Sequence, residues 1–319
     1  MKVAIVGAGL AGAYLANQLV AQGHDVVVFE KSRGIGGRMN TKTLDFAAAD
    51  LGAQYFTLRD QRFEARKQQW LKQDVIAPWI FTPYTYKNQQ LAPSPDNETR
   101  YVGMPGMRAP AQTLLDGILV HYTTCIVGLQ RQGRGWQLED HLCQCHAGFD
   151  RVVCAIPADQ AKVLLADTSL GARIPTDLHL PCWAVALHSS DKVDPALCGI
   201  FSDDEFSWVS RNGTKPGRDT DCWILHASAD YSTSKGRDAT EQVAEDAKAW
   251  LRRVVGVKQI DDQYTHFWRF ARQNPAVAAP GLLQHTAEGI AAIGDWCEGG
   301  RVEGALLSAH NLLHSEFFS

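Results

Sequence analysis

Lys2-Val3-Ala4-Ile5-Val6 runs straight into Gly7-Ala8-Gly9-Leu10-Ala11-Gly12, and Val26-Val27-Val28-Phe29-Glu30 closes the unit after a helical run to Gln22. The order is strand, glycine turn, helix, strand and a terminal acid. Each glycine of the Gly-x-Gly-x-x-Gly spacing has a mechanical task. Gly7 permits the tight turn, Gly9 lets the backbone approach a pyrophosphate, and Gly12 lets the helix pack close on the strand. Leu10 and Ala11 open the helix, whose free N–H groups face the phosphates. Glu30 follows about 20 residues on, where a carboxylate accepts hydrogen bonds from ribose hydroxyls. The unit predicts dinucleotide binding by a βαβ fold.

A second glycine-rich, basic loop comes next: Lys31-Ser32-Arg33-Gly34-Ile35-Gly36-Gly37-Arg38-Met39. Paired glycines let the backbone pass close to a ligand, and Arg38 can meet a diphosphate. A nicotinamide enzyme has no need of this loop, whereas an enzyme with a buried FAD does. Near the other end, Ile290-Ala291-Ala292-Ile293-Gly294-Asp295-Trp296 reads as an apolar strand ending in Gly-Asp. Gly299-Gly300-Arg301-Val302 then opens a helix that runs to about Phe317.

The 319 residues suit one large domain or two intertwined ones. The 31 basic and 35 acidic residues leave a net charge of −4. That balance provides no electrostatic reason to expect nucleic acid or an anionic membrane as partner. No apolar run approaches the about 18 residues of a bilayer span. The apolar N-terminus contains the glycine fingerprint, so removing it as a signal peptide would destroy the fold. A cytoplasmic protein is expected. The 8 cysteines are scattered, and runs such as Val152-Val153-Cys154-Ala155-Ile156 suggest buried, reduced thiols. His141-Leu142-Cys143-Gln144-Cys145-His146 is the one cluster with a metal look. As a strand it would place Cys143 and Cys145 on one face, but no second cluster completes four ligands, and no metal is expected.

Between these landmarks, Asp60 to Val75 reads as an amphipathic helix carrying Phe63, Trp70 and Leu71. Ile76 to Arg100, rich in Pro, Tyr and Asn, reads as strands and turns walling a cavity. Gly106 to Ile118 is expected to be helical, with Pro110 in its first turn. Leu119 to Leu129 reads as one strand, and Gly133 to Gly135 as a hairpin turn. Glu241 to Val255 carries Val243, Ala247, Trp250, Leu251 and Val254 on one helical stripe, stopped by Gly256.

The run Asp50-Leu51-Gly52-Ala53-Gln54-Tyr55-Phe56-Thr57, together with both glycine loops, resembles the flavin-containing amine oxidase superfamily. More narrowly it resembles the renalase branch, and bacterial renalases most of all. Pro93-Ser94-Pro95-Asp96, Gly103-Met104-Pro105-Gly106-Met107, Trp183-Ala184-Val185-Ala186-Leu187, Lys215-Pro216-Gly217-Arg218-Asp219, Trp223-Ile224-Leu225-His226-Ala227 and His266-Phe267-Trp268-Arg269-Phe270-Ala271 extend the resemblance over nearly the whole chain. It implies an α/β flavoprotein: a Rossmann-type FAD-binding domain interleaved with a mixed α+β substrate domain, as in amine oxidases and hydroxybenzoate hydroxylase. The FAD-binding domain would comprise 1–57, 100–165 and 279–319, and the substrate domain 58–99 and 166–278. The implied FAD contacts are Gly7, Gly9, Leu10, Ala11, Gly12, Glu30, Lys31, Gly37, Arg38, Gln54, Tyr55, Ile126, Asp295 and Val302. Asp295 would meet the ribityl or phosphate end, and the helix opening at Val302 would point at the flavin pyrimidine ring. Covalent amine oxidases carry Ser-Gly-Gly-Cys-Tyr before the closing motif. Here Gly281-Leu282-Leu283-Gln284-His285-Thr286 has no cysteine, so non-covalent FAD is expected.

The reaction implied by the resemblance is oxidation of misreduced dihydronicotinamide dinucleotides, NAD(P)H isomers with the hydride on the wrong ring carbon. A hydride passes to FAD and then to O2, releasing NAD(P)+ and hydrogen peroxide. Substrate-binding candidates at the domain boundary are Phe56, Thr57, Arg59, Asp60, Ser94, Pro95, Asp96, Trp183 and Trp296, with His226 and Trp268 as catalytic candidates. Trp183, Trp268 and Trp296 could form an aromatic box around a flat ring, or each could be core. His226 is a catalytic or a satisfied core histidine. Arg59 and Asp60 could simply start a helix, and Asp96 could simply shape a turn. An oxidase of small amines is the alternative activity, and a non-catalytic flavin-fold binding protein the alternative of another class. No nucleophile elbow, zinc-protease motif or Cys-x-x-Cys pair is present.

Overall fold

The computed structural model describes residues 1–319. Strand β1 (Lys2–Val6) is apolar and buried from Val3 onward because both its faces are covered. It pairs in parallel with β2 (Asp25–Phe29) on one side and with Arg151–Cys154 on the other. The complete sheet runs Leu283–His285, Ile290–Ala292, Arg151–Cys154, β1, β2, Leu119–His121. Only its outermost strand, Leu283–His285, is antiparallel. Helix α1 (Leu10–Ala21) covers one face, with Leu15 and Leu19 packed beside Leu306 and Leu312 of the final helix, Arg301–Leu313. Chain start and chain end therefore share one core. A three-stranded antiparallel sheet, Ile126–Gln132, Gly135–Asp140 and Cys145–Phe149, packs Trp136, Leu138 and Phe149 against Phe29 on the opposite side.

The second domain is a seven-stranded sheet in the order Asp262–Gln273, His179–His188, Trp223–Ala227, Phe206–Arg211, Gly199–Ser202, Tyr84–Lys87, Gln90–Pro93. Successive side chains of a strand point to opposite faces, and the pattern here sorts them cleanly. Trp183, Val185, Leu187 and Leu225 face the helix Thr240–Val255 and its Val243, Ala247, Trp250 and Leu251. Gly256, at φ +83°, ends that helix as expected. Ala184, Ala186 and Ile224 face the other way and meet Ala47, Ala49 and Leu51 of the first domain. The inter-domain site lies along that second face.

Several elements differ from the sequence reading. The helix expected from Asp60 is a short turn, Gln61–Phe63, followed by Glu64–Lys72. Its Phe63 and Trp70, with Leu58, Ile76 and Trp79, sink into the core beneath α1. The helix expected over Gly106 to Ile118 shortens to Ala109–Leu114, with Pro110 in its first turn. The single strand expected from Leu119 to Leu129 is two strands in two sheets. Thr123, at φ +51°, turns the chain between them. Cys143 sits in a turn at φ +60°, and the strand begins only at Cys145, so the two cysteines do not share a strand face. The final helix stops at Leu313, short of Phe317. No helix is long and apolar enough to cross a membrane.

Candidate dinucleotide and substrate site

The fingerprint glycines differ in what surrounds them. Gly7 adopts φ +111°, and a side chain there would strike the Ala155 carbonyl. A side chain on Gly12 would strike the Gly7 carbonyl. Nothing lies within 4 Å of where a Gly9 side chain would project, so this is the open approach to the turn. Helix α1 has no side-chain cap and no acid in its first turn. Its first backbone bond is Ala13 N–H to Gly9 O at 2.9 Å, which leaves the Leu10, Ala11 and Gly12 N–H groups without protein partners.

The second glycine loop folds against the first. Gly36 N–H donates to Ala8 O at 2.9 Å, and Gly37 approaches the Gly9 Cα. Glu30 is buried, and its carboxylate accepts from Ala8 N–H at 2.9 Å and Ser32 N–H at 2.8 Å. Each oxygen keeps acceptor capacity for a sugar hydroxyl. Lys31 is exposed beside it. Ile126 buries its side chain in the core with Phe29, two residues beyond Thr124, whose N–H donates to Glu30 O at 2.9 Å.

Arg38 and Asp295, 257 positions apart, form a two-pronged ion pair, one prong being Nη1 to Oδ2 at 3.1 Å. Arg38 also donates to Ala271 O at 3.3 Å. Ala53 N–H donates to the Arg38 carbonyl at 2.8 Å, and only glycine fits at position 52 beside that carbonyl. The final helix starts uncapped at Gly300, with half-buried Val302 in its first turn. Two uncapped helix starts, two glycine loops, a ribose-type acid and an arginine converge here. This donor set fits a dinucleotide cofactor such as FAD, which needs phosphate donors and sugar acceptors together.

A buried polar cluster adjoins this cradle, and no local sequence pattern announces it. Asp50 Oδ2 accepts from Lys215 Nζ at 3.2 Å and from Arg218 Nη2 at 2.6 Å, and Oδ1 accepts from Thr41 at 2.6 Å. Burial alone would raise the Asp50 carboxyl, but Lys215 and Arg218 overcome it and hold the group below its ordinary value. Lys215 Nζ also donates to Gln54 Oε1 and Asn212 Oδ1, both at 2.9 Å, and burial pushes it down to about 8. Gln54 corrects the sequence reading. Its amide donates to Asp50 O and Gly52 O and accepts from Lys215 and Ser210, so its hydrogen-bonding capacity is spent within the protein.

The expected tryptophan box does not form. Trp183 is in the core under the helix Thr240–Val255, its Nε1 donating to Gly236 O at 2.9 Å. Trp296 is fully buried in the other domain, donating to Ile156 O at 3.0 Å. Strand register sends Trp183 into one core, and the turn Asp295–Cys297 sends Trp296 into another. Trp268, half-buried, donates to Leu51 O at 2.9 Å, and His226 donates to the same oxygen from Nε2 at 3.0 Å. Burial pushes the imidazole down to about 4, so it is neutral. Both catalytic candidates are therefore seated on a backbone carbonyl and hold the two domains together.

The remaining candidates are mostly committed as well. Phe56 is core and pairs with Tyr101, and Thr57 follows half-buried. Asp60 caps the Gln61–Phe63 turn and pairs with Arg62, whose hydrogen bonds lower its carboxyl to about 2. Arg59 pairs with Glu98, and the backbone N–H groups of Arg59 and Asp60 both donate to Glu303. Ser94 and Pro95 are exposed, while Asp96 makes a two-pronged pair with Arg100 at 2.9 and 2.6 Å. Tyr55 does reach the inter-domain space, edge-on to Trp208 with ring centres 5.4 Å apart.

Residues 5–67 match the NAD(P)-binding Rossmann-like domain. That segment has a dinucleotide-binding fold. It spans the Rossmann fingerprint, the second loop and the Asp50–Thr57 run. A 4,4'-diapophytoene desaturase (4,4'-diaponeurosporene-forming) from Staphylococcus aureus is 40% identical over 60 residues, which is 19% of this chain and 12% of the relative. Over the whole chain the likeness is one of fold. A Methanosarcina mazei oxidoreductase matches with TM-score 0.72 at 12% identity, covering 99% of this chain and 100% of its own. A structure from Exiguobacterium sp. 255-15, assigned as a protoporphyrinogen oxidase, matches with TM-score 0.73 at 11% identity, covering 98% and 97%. The Rossmann domain with an interleaved second domain is the architecture expected from the sequence.

Proposed function

We propose that this chain is an FAD-dependent oxidoreductase, and specifically a renalase-type oxidase of misreduced dihydronicotinamide dinucleotides. The observation that carries the flavin reading is the meeting of Arg38 and Asp295 over two adjoining glycine loops. A nicotinamide-only site needs the first loop alone. The overall reaction is dihydro-NAD(P) plus O2 plus a proton, giving NAD(P)+ and hydrogen peroxide. FAD, when bound, supplies the two-electron acceptor.

In this reading the free N–H groups of α1 and Arg38 would hold the diphosphate, Glu30 the adenosine ribose, and Asp295 the ribityl hydroxyls. The uncapped start of the final helix would face the pyrimidine ring, where its partial positive charge favours added negative charge. His226 and Trp268 pin Leu51, and so hold the Leu51–Tyr55 backbone at a set height above the sheet. The Asp50 network keeps water from the joint. No side chain has to carry a proton for hydride transfer itself.

The test is anaerobic mixing of the purified protein with dihydronicotinamide isomers, ordinary NADH and a panel of amines, following flavin bleaching. Bleaching by the isomers alone supports the proposal. Bleaching by amines alone would replace it with an amine oxidase. A protein that purifies without flavin would sink both and favour a non-catalytic binder.

A further inference from the structure

An aromatic cluster does form where the domains meet, built from Tyr55 and from rings that the sequence did not single out. Tyr55 comes from the segment that touches Arg38. Trp79, Phe81 and Arg100 come from the excursion after the Glu64–Lys72 helix. Phe201 and Trp208 come from the inward face of the large sheet, where Trp208 is the register partner of His226. Ring centres lie 4.1 Å apart for Trp79 and Phe81, 4.6 Å for Phe201 and Trp208, and 6.5 Å for Trp79 and Trp208. Gly199 makes the arrangement possible, because a side chain there would come within 2.6 Å of Phe81 and 2.7 Å of Trp208.

Three buried donors of this cluster have no acceptor. Trp79 Nε1, Trp208 Nε1 and Arg100 Nε are buried and make no hydrogen bond. Arg100 is only 5% exposed, and its guanidinium sits over Tyr55 and Phe81 at 5.2 and 5.3 Å from the ring centres. Its terminal nitrogens are taken by Asp96, which leaves Nε free. Lys215 Nζ lies 5.5 Å from the Trp79 ring centre, adding a second cation. Buried donors are nearly always satisfied, and three in one ring cluster are a concentrated exception. They call for a ligand that is flat and offers acceptors. An alkylammonium offers only donors, so it would leave all three unmet beside two cations.

We propose that Tyr55, Trp79, Phe81, Arg100, Phe201 and Trp208 form the substrate-ring pocket, selective for a neutral planar ring bearing a carbonyl acceptor, such as the carboxamide of a dihydronicotinamide. This rests on the functional reading above and assigns its ring-recognition residues. The indole and Arg100 N–H groups donate to the carboxamide oxygen, and the rings stack on the dihydropyridine.

The experiment is calorimetric titration of the full chain, as purified, with 1,4,5,6-tetrahydro-NAD, a redox-inert analogue with a neutral carboxamide ring. Benzylamine is the comparison. Trp79→Phe and Trp208→Phe keep a ring and delete the donor, and each should weaken binding about fivefold. Trp250→Phe, which deletes an unpaired indole N–H in the distant helix-covered core, should leave affinity unchanged. Flavin content, read by absorbance, should be unaltered in all three. Equal affinity in wild type and the two pocket variants, no binding of the analogue, or tighter binding of benzylamine would overturn the pocket. Bleaching by the isomers with unaltered variant affinities would sink the pocket and leave the reaction. A fivefold loss without any bleaching would support the pocket and sink the reaction.

Discussion

Asp50→Asn should be among the most damaging single changes outside the glycine turns. The substitution preserves shape and removes one negative charge. Asp50, Lys215 and Arg218 have side chains 0%, 0% and 1% exposed. The variant therefore leaves two cations facing each other in the dry joint between domains. Breaking a buried pair by removing one partner costs about 3–5 kcal/mol. Lys215→Met acts on the same cluster with a smaller consequence. Asp50 keeps Arg218, and the lost ammonium had resisted its charge, being pushed down to about 8 by burial. What remains is the Asn212 oxygen and part of the Gln54 oxygen left without a donor, about 1–3 kcal/mol, offset by the relieved desolvation. Urea unfolding followed by tryptophan fluorescence measures both, the midpoint shift being read at constant slope. The double variant should lose less than the sum of the two, because it removes one of the repelling cations. If Lys215→Met is as costly as Asp50→Asn, or the two losses add, charge compensation is not what holds this joint.

The other expectations concern the cradle and its lock. His226 is about 4 in the native state against 6.5 ordinarily. The unfolded chain therefore takes up its proton first as pH falls. Its contribution is full above about 6.5 and is lost toward 4, and circular dichroism should show His226→Gln with a flatter acid limb. Glu30→Ala should lower retained flavin, read as the ratio of flavin to protein absorbance, and should also lower the melting temperature of the flavin-free protein, because the buried Ala8 N–H loses its acceptor. Arg38→Met should do the same more strongly, because it also releases Asp295 from its partner. Unchanged flavin content in either variant would remove that residue from the cradle.

How much of this was legible varies with distance along the chain. The βαβ unit was, because each glycine answers a demand made within a dozen residues: a positive φ at Gly7 and a missing Cβ at Gly12. The stop at Gly256 was legible for the same reason. The tryptophans were not. Trp183 looked like a pocket wall in an apolar strand, but the sheet register turned it toward the helix Thr240–Val255. Trp79 and Trp208 gave no signal of their own and became neighbours only when distant segments folded together. Asp50 and Lys215 are 165 positions apart, and no periodicity links them. A charged residue in an apolar run, and Lys and Arg flanking Pro216-Gly217, were the only hints.

By itself the sequence determined a dinucleotide-binding fold at the N-terminus, closed by the C-terminal segment of the same domain, since backbone conformation and glycine sterics are local. The tertiary structure alone decided which aromatic rings meet and which charges neutralise one another. Those outcomes depend on strand register and domain apposition, which bring together residues that interact only after the chain has folded.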